Sequence, residues 1–263
     1  MAYKTHTFVI AAYKESEFLE ELIKSLLAQT VKSKVVIATS TPNDHIGALA
    51  EKYHIPVFVN RNKNAKTISG DFSFALQCAD TDFLTIAHQD DIYEPDYTRE
   101  ILKKAVGRRP VILFTGYYEI RGGERVYKNK LLNTKKLMNF GFKLFPKSKL
   151  VRRGILSFGC PICCPAVAYP KRTYKSFKFS DKVTQCVDWE AWLRLMRRDG
   201  EFLYIDKPLM GHRVHENSTT TKTIADNSRY NEELAIFRQL WPERFAKWMI
   251  KRYHKACDSN ELK

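Results

Sequence analysis

The chain has no run approaching the ~18 uninterrupted apolar residues that a membrane-spanning helix needs, so no transmembrane anchor is expected. Its opening residues, MAYKTHTFVIAAYKESE, lack a secretory-signal pattern, which makes the cytoplasm the expected compartment. Cysteines are few: Cys78, Cys160, Cys163, Cys164, Cys186 and Cys257. Cys160 and Cys163 have the spacing of half a zinc site, but no second pair follows, so reduced structural thiols are expected. Internal repeats and low-complexity linkers are absent, and no second domain declares itself. A glycine-rich basic phosphate loop is also missing after the first strand, where AAYKESEFLE stands. That absence counts against a nucleotidyltransferase, one of the enzyme classes that could otherwise use an acidic site on an α/β sheet.

Acid is scarce relative to base. The 263 residues carry 44 Lys and Arg against 29 Asp and Glu, a formal net charge of +15. Such a surface attracts polyanions: nucleic acid, anionic lipid headgroups or phosphorylated substrates. Much of the excess lies between Arg121 and Arg153, where Arg121, Arg125, Lys128, Lys130, Lys135, Lys136, Lys143, Lys147, Lys149, Arg152 and Arg153 face only Glu124. Phe140, Phe142 and Phe145 are interleaved with them. Two readings stay open: a surface that docks on anionic lipid at the inner face of a membrane, or a solvated mobile loop. A hydrophobic content of 44% is enough for a substantial core at this length.

The first half alternates strand and helix signals. THTFVIAAY is followed by a helix from about Ser16 to Gln29, KVVIATS by a helix through HIGALAEKY, PVFVN by a helix near Gly70 to Ala79, and DFLTIAH by a helix from Asp96 to Val106. Right-handed βαβ crossovers make a mostly parallel sheet with its strand carboxyl ends on one side. Ligand-binding residues are therefore expected at 11–15, 39–44, 60–71 and 88–93. After VILFTGYYEI the alternation stops; DWEAWLRLMRRDG has helical spacing with Trp189 and Trp192 on its core face, EFLYIDKPLMGHRV reads as a strand, and a helical tail runs from about Asp226 to His254.

The strand ending FLTIAHQDD runs into two adjacent carboxylates, Asp90 and Asp91, at the sheet edge where open α/β folds bind ligands. Hard oxygen ligands there suit Mg²⁺ or Mn²⁺ completed by substrate phosphates. Taken alone, the same residues could start a turn or cap the helix near Pro95.

The order of these pieces over about residues 5–220 resembles the family 2 glycosyltransferases, which have the GT-A fold. The resemblance implies a single GT-A domain over 1–225, with a nucleotide-sugar half at about 1–106, an acceptor half at about 107–225 and a helical extension at 226–263. The family's Pro-Ala-Tyr-Asn-Glu loop matches Ala11, Ala12, Tyr13, Lys14 and Glu15, which implies that Tyr13 stacks on the nucleotide base. The aspartate pair ending the family's second strand is absent; Ala38, Thr39 and Ser40 stand there, leaving Thr39 and Ser40 as candidate base or ribose contacts. Asp71 is a candidate replacement carboxylate, or simply an acid at a helix N-terminus.

In the metal motif His88 takes the first aspartate's place and Asp90 the second's, with Asp91 a further metal or sugar contact. Asp188 in CVDWEAW matches the family's catalytic base, although its position also suits a helix N-cap. In GHRVHENSTT, Arg213 would neutralise diphosphate charge and His215 would join the metal or a phosphate. The implied activity is inverting transfer of a sugar from a nucleoside-diphosphate sugar to a hydroxyl of a glycan or polyprenyl-phosphate-linked acceptor, with a divalent metal and without specific nucleic-acid binding. The usual setting for this resemblance is bacterial cell-surface polysaccharide synthesis. The losses at Ala38 and His88 leave a catalytically silent glycan- or nucleic-acid-binding protein as the rival.

Overall fold

A computed structural model describes residues 3–62, 67–215 and 228–258, apart from the side chains of Ser228 and of residues 255–258. The side chain of Cys257 and those of the serine and threonine residues after Arg213 therefore fall outside what is described. Strands β1 (His6–Ala12), β2 (Lys34–Thr39), β3 (Val57–Val59) and β4 (Phe83–His88) pair in parallel in the order β3-β2-β1-β4. They alternate with helices α1 (Leu19–Leu27), α2 (Asp44–Lys52) and α3 (Ile68–Ala75). The period-2 geometry of β1 sends Phe8 and Ile10 into one apolar cluster and Val9 into another, so the sheet is covered on both faces. Helix α1 buries Leu19, Leu22, Ile23 and Leu26, a stripe at helical spacing.

Beyond β4 come β5 (Ile92–Tyr93), α4 (Tyr97–Ala105), β6 (Pro110–Arg121) and β7 (Glu124–Val126). There follow α5 (Lys130–Leu144), α6 (Lys149–Leu156), β8 (Val167–Pro170), the short α7 (Lys171–Tyr174), α8 (Val187–Leu195), β9 (Glu201–Val214), α9 (Ser228–Leu240) and α10 (Glu243–Asp258). The sheet continues β4-β8-β6-β9-β5. Strand β8 is antiparallel to both neighbours, while the long β6 and β9 are parallel. The architecture is α/β, with a mixed sheet flanked by helices and a helical carboxyl-terminal region.

Several boundaries differ from those the sequence pattern suggests. Helix α1 begins at Leu19 because residues 16–18 form a turn in which the Leu19 amide donates to the Ser16 carbonyl. Helix α3 begins at Ile68, capped by Thr67, and ends at Ala75. Asp96 occupies the N-cap position of α4, so Asp90 and Asp91 do not cap that helix. Trp189 and Trp192 are buried, as their helical spacing predicts.

The 121–153 segment departs from both sequence readings in its details. It is not a loop: Asn129 and Ser148 cap α5 and α6 by accepting from the Leu132 and Val151 amides. Nor is every cation on the surface. Arg152 is fully buried, donating to the carbonyls of Pro146, Met196, Arg198 and Gly200 and lying over the Phe202 ring. No helix among the described residues is long and apolar enough to cross a membrane.

Candidate active site

The carboxyl ends of β1, β2 and β4 form one edge, and the loops leaving them hold most of the predicted residues. At the end of β1, Ala11 is half-buried and Ala12 is buried, and Tyr13 just beyond it is exposed. The Tyr13 backbone is clasped by the Gln89 side chain: the Tyr13 amide donates to Gln89 Oε1 at 2.9 Å, and Gln89 Nε2 donates to the Tyr13 carbonyl at 2.9 Å. Lys14 follows with φ +56°, a left-handed conformation that disfavours a side chain bearing Cβ, and its amide donates to Thr41 Oγ1 at 2.6 Å. Glu15 is exposed. A strained, doubly held loop with an exposed tyrosine suits an aromatic platform for a base.

At the end of β2, Thr39 and Ser40 are buried. Ser40 Oγ donates to Asp71 Oδ2 at 2.8 Å, and Asn60 Nδ2 donates to Asp71 Oδ1 at 3.3 Å. A carboxylate therefore reaches this edge from the first turn of α3, although β2 supplies none.

Strand β5 organises the acidic corner. It pairs antiparallel to β9 with Ile92 opposite Gly211, and that register, continued by one and two residues, sets Asp91 against His212 and Asp90 against Arg213. The fully buried Asp91 accepts through Oδ1 from His212 Nδ1 and from the Arg213 amide, both at 3.0 Å, while Oδ2 has no partner among the described residues. Desolvation pulls the His212 pKa down, but the Asp91 charge and hydrogen bond more than offset it, so the pKa lies above its ordinary value.

Asp90 Oδ2 is 2.9 Å from His215 Nε2. Burial pushes its pKa up, yet the His215 hydrogen bond and the neighbouring His88 and His212 hold it below the usual carboxylate range. Arg213 Nε donates to the Asp90 carbonyl at 2.9 Å, its terminal nitrogen pairs with Glu21 at 2.5 Å, and the guanidinium lies 4.2 Å from the Phe18 ring centroid.

His88 stacks on Phe72, and its Nε2 is buried without a partner among the described residues. Desolvation depresses its pKa, so the ring is neutral near pH 7. The charges of Asp91, Asp90 and Asp188 act on the same imidazole in the opposite sense. Asp188 lies in the first turn of α8, past the N-cap residue Cys186. Its Oδ1 accepts from the Trp189 amide at 2.7 Å, and among the described residues Oδ2 has only the weak donor Cys160 Sγ at 3.8 Å. The nearby thiols of Cys160, Cys163 and Cys164 are pushed upward by burial and stay protonated. The five described cysteines are free.

Residues 7–169 match the family described as Glycosyl transferase family 2. The chain belongs to that family. Curated relatives of this glycosyltransferase include an uncharacterized glycosyltransferase of Rickettsia typhi, 22% identical over 239 residues that span 85% of this chain and 68% of the relative. Another, from Methanocaldococcus jannaschii, is 22% identical over 231 residues, covering 85% and 75% of the two chains. Among solved structures, S. aureus TarS 1-349 in complex with UDP-GlcNAc superposes with a TM-score of 0.62 at 13% identity, covering 97% of this chain and 73% of that one. The mannosyltransferase PcManGT from Pyrobaculum calidifontis, in complex with GDP-Man and Mn²⁺, gives a TM-score of 0.64 at 10% identity over 100% and 77%. At such identities the likeness shows a shared fold, that of GT-A glycosyltransferases.

The predicted residues of this family 2 glycosyltransferase thus gather in two groups, Tyr13, Thr39, Ser40 and Asp71 along the β1–β2 edge and Asp90, Asp91, Arg213 and His215 in the acidic corner next to His88, while Asp188 stands on α8 against Cys160. Among the described residues no hydrogen bond or ion pair ties the exposed Glu15 to either group. Sequence reasoning missed Gln89, His212, Phe18, Glu21 and Phe72. Gln89 fills the variable position of the metal motif and His212 immediately precedes Arg213, so proximity to known motifs was the available signal; Phe18, Glu21 and Phe72 sit on helix-forming segments and carried none.

Proposed function

We propose that this glycosyltransferase moves a hexosyl unit, with inversion, from a nucleoside-diphosphate sugar to a hydroxyl of a glycan or polyprenyl-phosphate-linked acceptor, in cell-surface polysaccharide synthesis. The observation that supports the reading is the acidic corner after β4, where Asp91 is held by His212 and the Arg213 amide and Asp90 lies against His215. Tyr13 offers its exposed ring to the base, and Thr39, Ser40 and Asp71 line the ribose side, with Asp71 standing in for the carboxylate that β2 lacks. Asp188 takes the proton of the acceptor hydroxyl as that oxygen bonds to the anomeric carbon and the carbon–phosphate oxygen bond breaks on the opposite face. Its carboxylate suits this task because Cys160 is a poor donor that leaves Oδ2 available. Arg213, held by the Asp90 carbonyl and Glu21, meets the charge that develops on the departing diphosphate.

The donor set fits a divalent ion that borrows most of its shell from substrate. Among the described residues no three His, Cys, Asp or Glu side chains converge as a metal cage, but Asp90 and His215 adjoin each other, and Asp91 Oδ2 is an unsatisfied buried oxygen nearby. One or two protein ligands completed by phosphate oxygens are ordinary for Mg²⁺, and an imidazole favours Mn²⁺ more. Asp90 and His215 would hold the ion, which when bound would neutralise diphosphate charge.

The test is thermal stabilisation by a panel of nucleoside diphosphates and nucleotide sugars, with and without Mn²⁺, in the wild type and in Asp90→Ala. A saturating ligand at a hundred times its Kd adds about 2.7 kcal/mol. Stabilisation by one nucleotide family that requires metal and vanishes in Asp90→Ala is expected. No response to any nucleotide would favour a silent binding protein.

A further inference from the structure

Helices α5 and α6 present an unusual face to water. The inner row of α5 is Leu132, Lys135, Asn139 and Phe142: the first and last two are buried, and Lys135 Nζ reaches Tyr117 Oη at 3.0 Å. The outer face should then be polar, yet Leu137, Phe140 and Leu144 recur there at i, i+3 and i+7, with Phe145 and Leu150 beside them. They are 76%, 42%, 56%, 56% and 80% exposed respectively. A contiguous exposed apolar patch with a charged rim marks an interaction surface.

The rim is predominantly basic. Lys130, Lys136, Lys143, Lys147, Lys149 and Arg153 are exposed around the patch, and no acidic residue occurs between Glu124 and Asp181. Asp206 pairs with Lys136 and Lys143, and Asp199 pairs with Lys149. Lys130, Lys147 and Arg153 form no ion pair among the described residues. The Lys143 ammonium lies 5.5 Å from the Phe140 ring centroid, a basic group over an apolar one.

We infer that the outer face of α5 and α6 docks on an anionic lipid bilayer, its leucines and phenylalanines entering the headgroup boundary and its lysines meeting lipid phosphates. Charge complementarity chooses the partner class, and the side-chain types narrow it. A single-stranded nucleic acid would be met by stacked aromatic rings, whereas the two most exposed apolar residues here, Leu137 and Leu150, are aliphatic. The orientation follows from Lys135, which turns inward from the same helix. Asn139 of the same helix donates to the Pro161 carbonyl at 3.3 Å, and the adjacent Cys160 thiol lies 3.8 Å from Asp188 Oδ2, so this helix lies beside the Asp188 end of the site. Docking would thus present that end to a hydroxyl carried on a lipid. This last step rests on the transferase reading; the docking itself does not.

The experiment is co-sedimentation of the full chain with phosphatidylcholine vesicles and with the same vesicles doped with phosphatidylglycerol, at low and high salt. Two exposed-residue variants accompany it, Leu137→Ser/Phe140→Ser/Leu144→Ser and Lys130→Gln/Lys147→Gln/Arg153→Gln. Wild type should pellet with the anionic vesicles and be released by salt. Each neutralised cation should cut partitioning about fivefold, so the basic triple variant should lose about a hundredfold. Wild type that stays in the supernatant, pellets equally on neutral vesicles, or is matched by both variants would overturn the proposal, as would retention on RNA without vesicle binding. The nucleotide thermal shift is measured on every variant. Vesicle binding without any nucleotide response would sink the transferase reading alone, and the reverse result would sink the membrane surface alone.

Discussion

Replacing Asp91 tests the acidic corner most directly, because its carboxylate joins β5 to β9 through two hydrogen bonds of 3.0 Å. Asp91→Ala leaves the His212 imidazole and the Arg213 amide without their acceptor in a fully buried position. Breaking a buried charged pair on one side costs roughly 3–5 kcal/mol. For a chain of this size that is a fall in Tm of about 6–20 °C. Asp91→Asn keeps an acceptor oxygen for the Arg213 amide and removes only the charge, so its deficit should depend on whether His212 is protonated. The folded-state pKa of His212 is raised from 6.5, so its pairing with Asp91 stabilises fully below the unfolded value and is lost as pH rises through the folded one. His88 acts in the opposite sense: its pKa is depressed, and stability falls as acid below the unfolded value forces the buried ring to charge. Loss of the Asp91 charge depresses the His88 pKa further, which adds to the variant's deficit only in acid below the unfolded value. The Asp91→Asn deficit, read by differential scanning calorimetry, should be about 1–2 kcal/mol near pH 6 and clearly smaller near pH 9. An equal deficit at both pH values would refute the charged His212–Asp91 pair.

Four further outcomes are expected. Asp188→Asn should lower the transfer rate about 10²–10⁴-fold while leaving the nucleotide-induced thermal shift intact; loss of both together would make Asp188 structural. Gln89→Ala removes both bonds to the Tyr13 backbone and should weaken donor binding by about 1–2 kcal/mol, read by calorimetric titration, with unchanged affinity showing that the loop is held otherwise. Lys14→Asn replaces a side chain that resists φ +56° with one that tolerates it and should stabilise by up to about 1 kcal/mol, measured by urea denaturation; a destabilised variant would refute the strain argument. Arg152→Met strands four backbone carbonyls that now accept from the guanidinium and should cost at least about 3 kcal/mol, while a near-native midpoint would mean that water satisfies them.

The distribution of successes follows the range of the interactions involved. Strands β1, β2 and β4 were legible because each is an apolar run bounded by polar residues, and their parallel pairing follows from the helices between them. Asp90 and Asp91 were legible because a strand ran straight into them. Asp188 and Arg213 needed the resemblance, since a lone acid at a helix start and a lone arginine on a strand carry little signal by themselves. The helical nature of 130–156 was hidden by its charge, because the helical apolar stripe faces outward as well as inward.

Sequence by itself determined the alternation of strands and helices, the edge on which polar residues gather, the family and the basic character of the surface, all of which depend on local pattern or on composition. Tertiary structure alone decided which charges meet. The Ile92–Gly211 register brings residues more than a hundred positions apart into the Asp91–His212 pair. The approach of α3 to β2 delivers Asp71 to an edge that lacks its own carboxylate. Packing against Phe202 takes Arg152 out of the basic surface, while Lys135 turns inward from the same segment. Such placements depend on strand register and helix orientation, which are set by the burial of many residues at once, and no single motif encodes them.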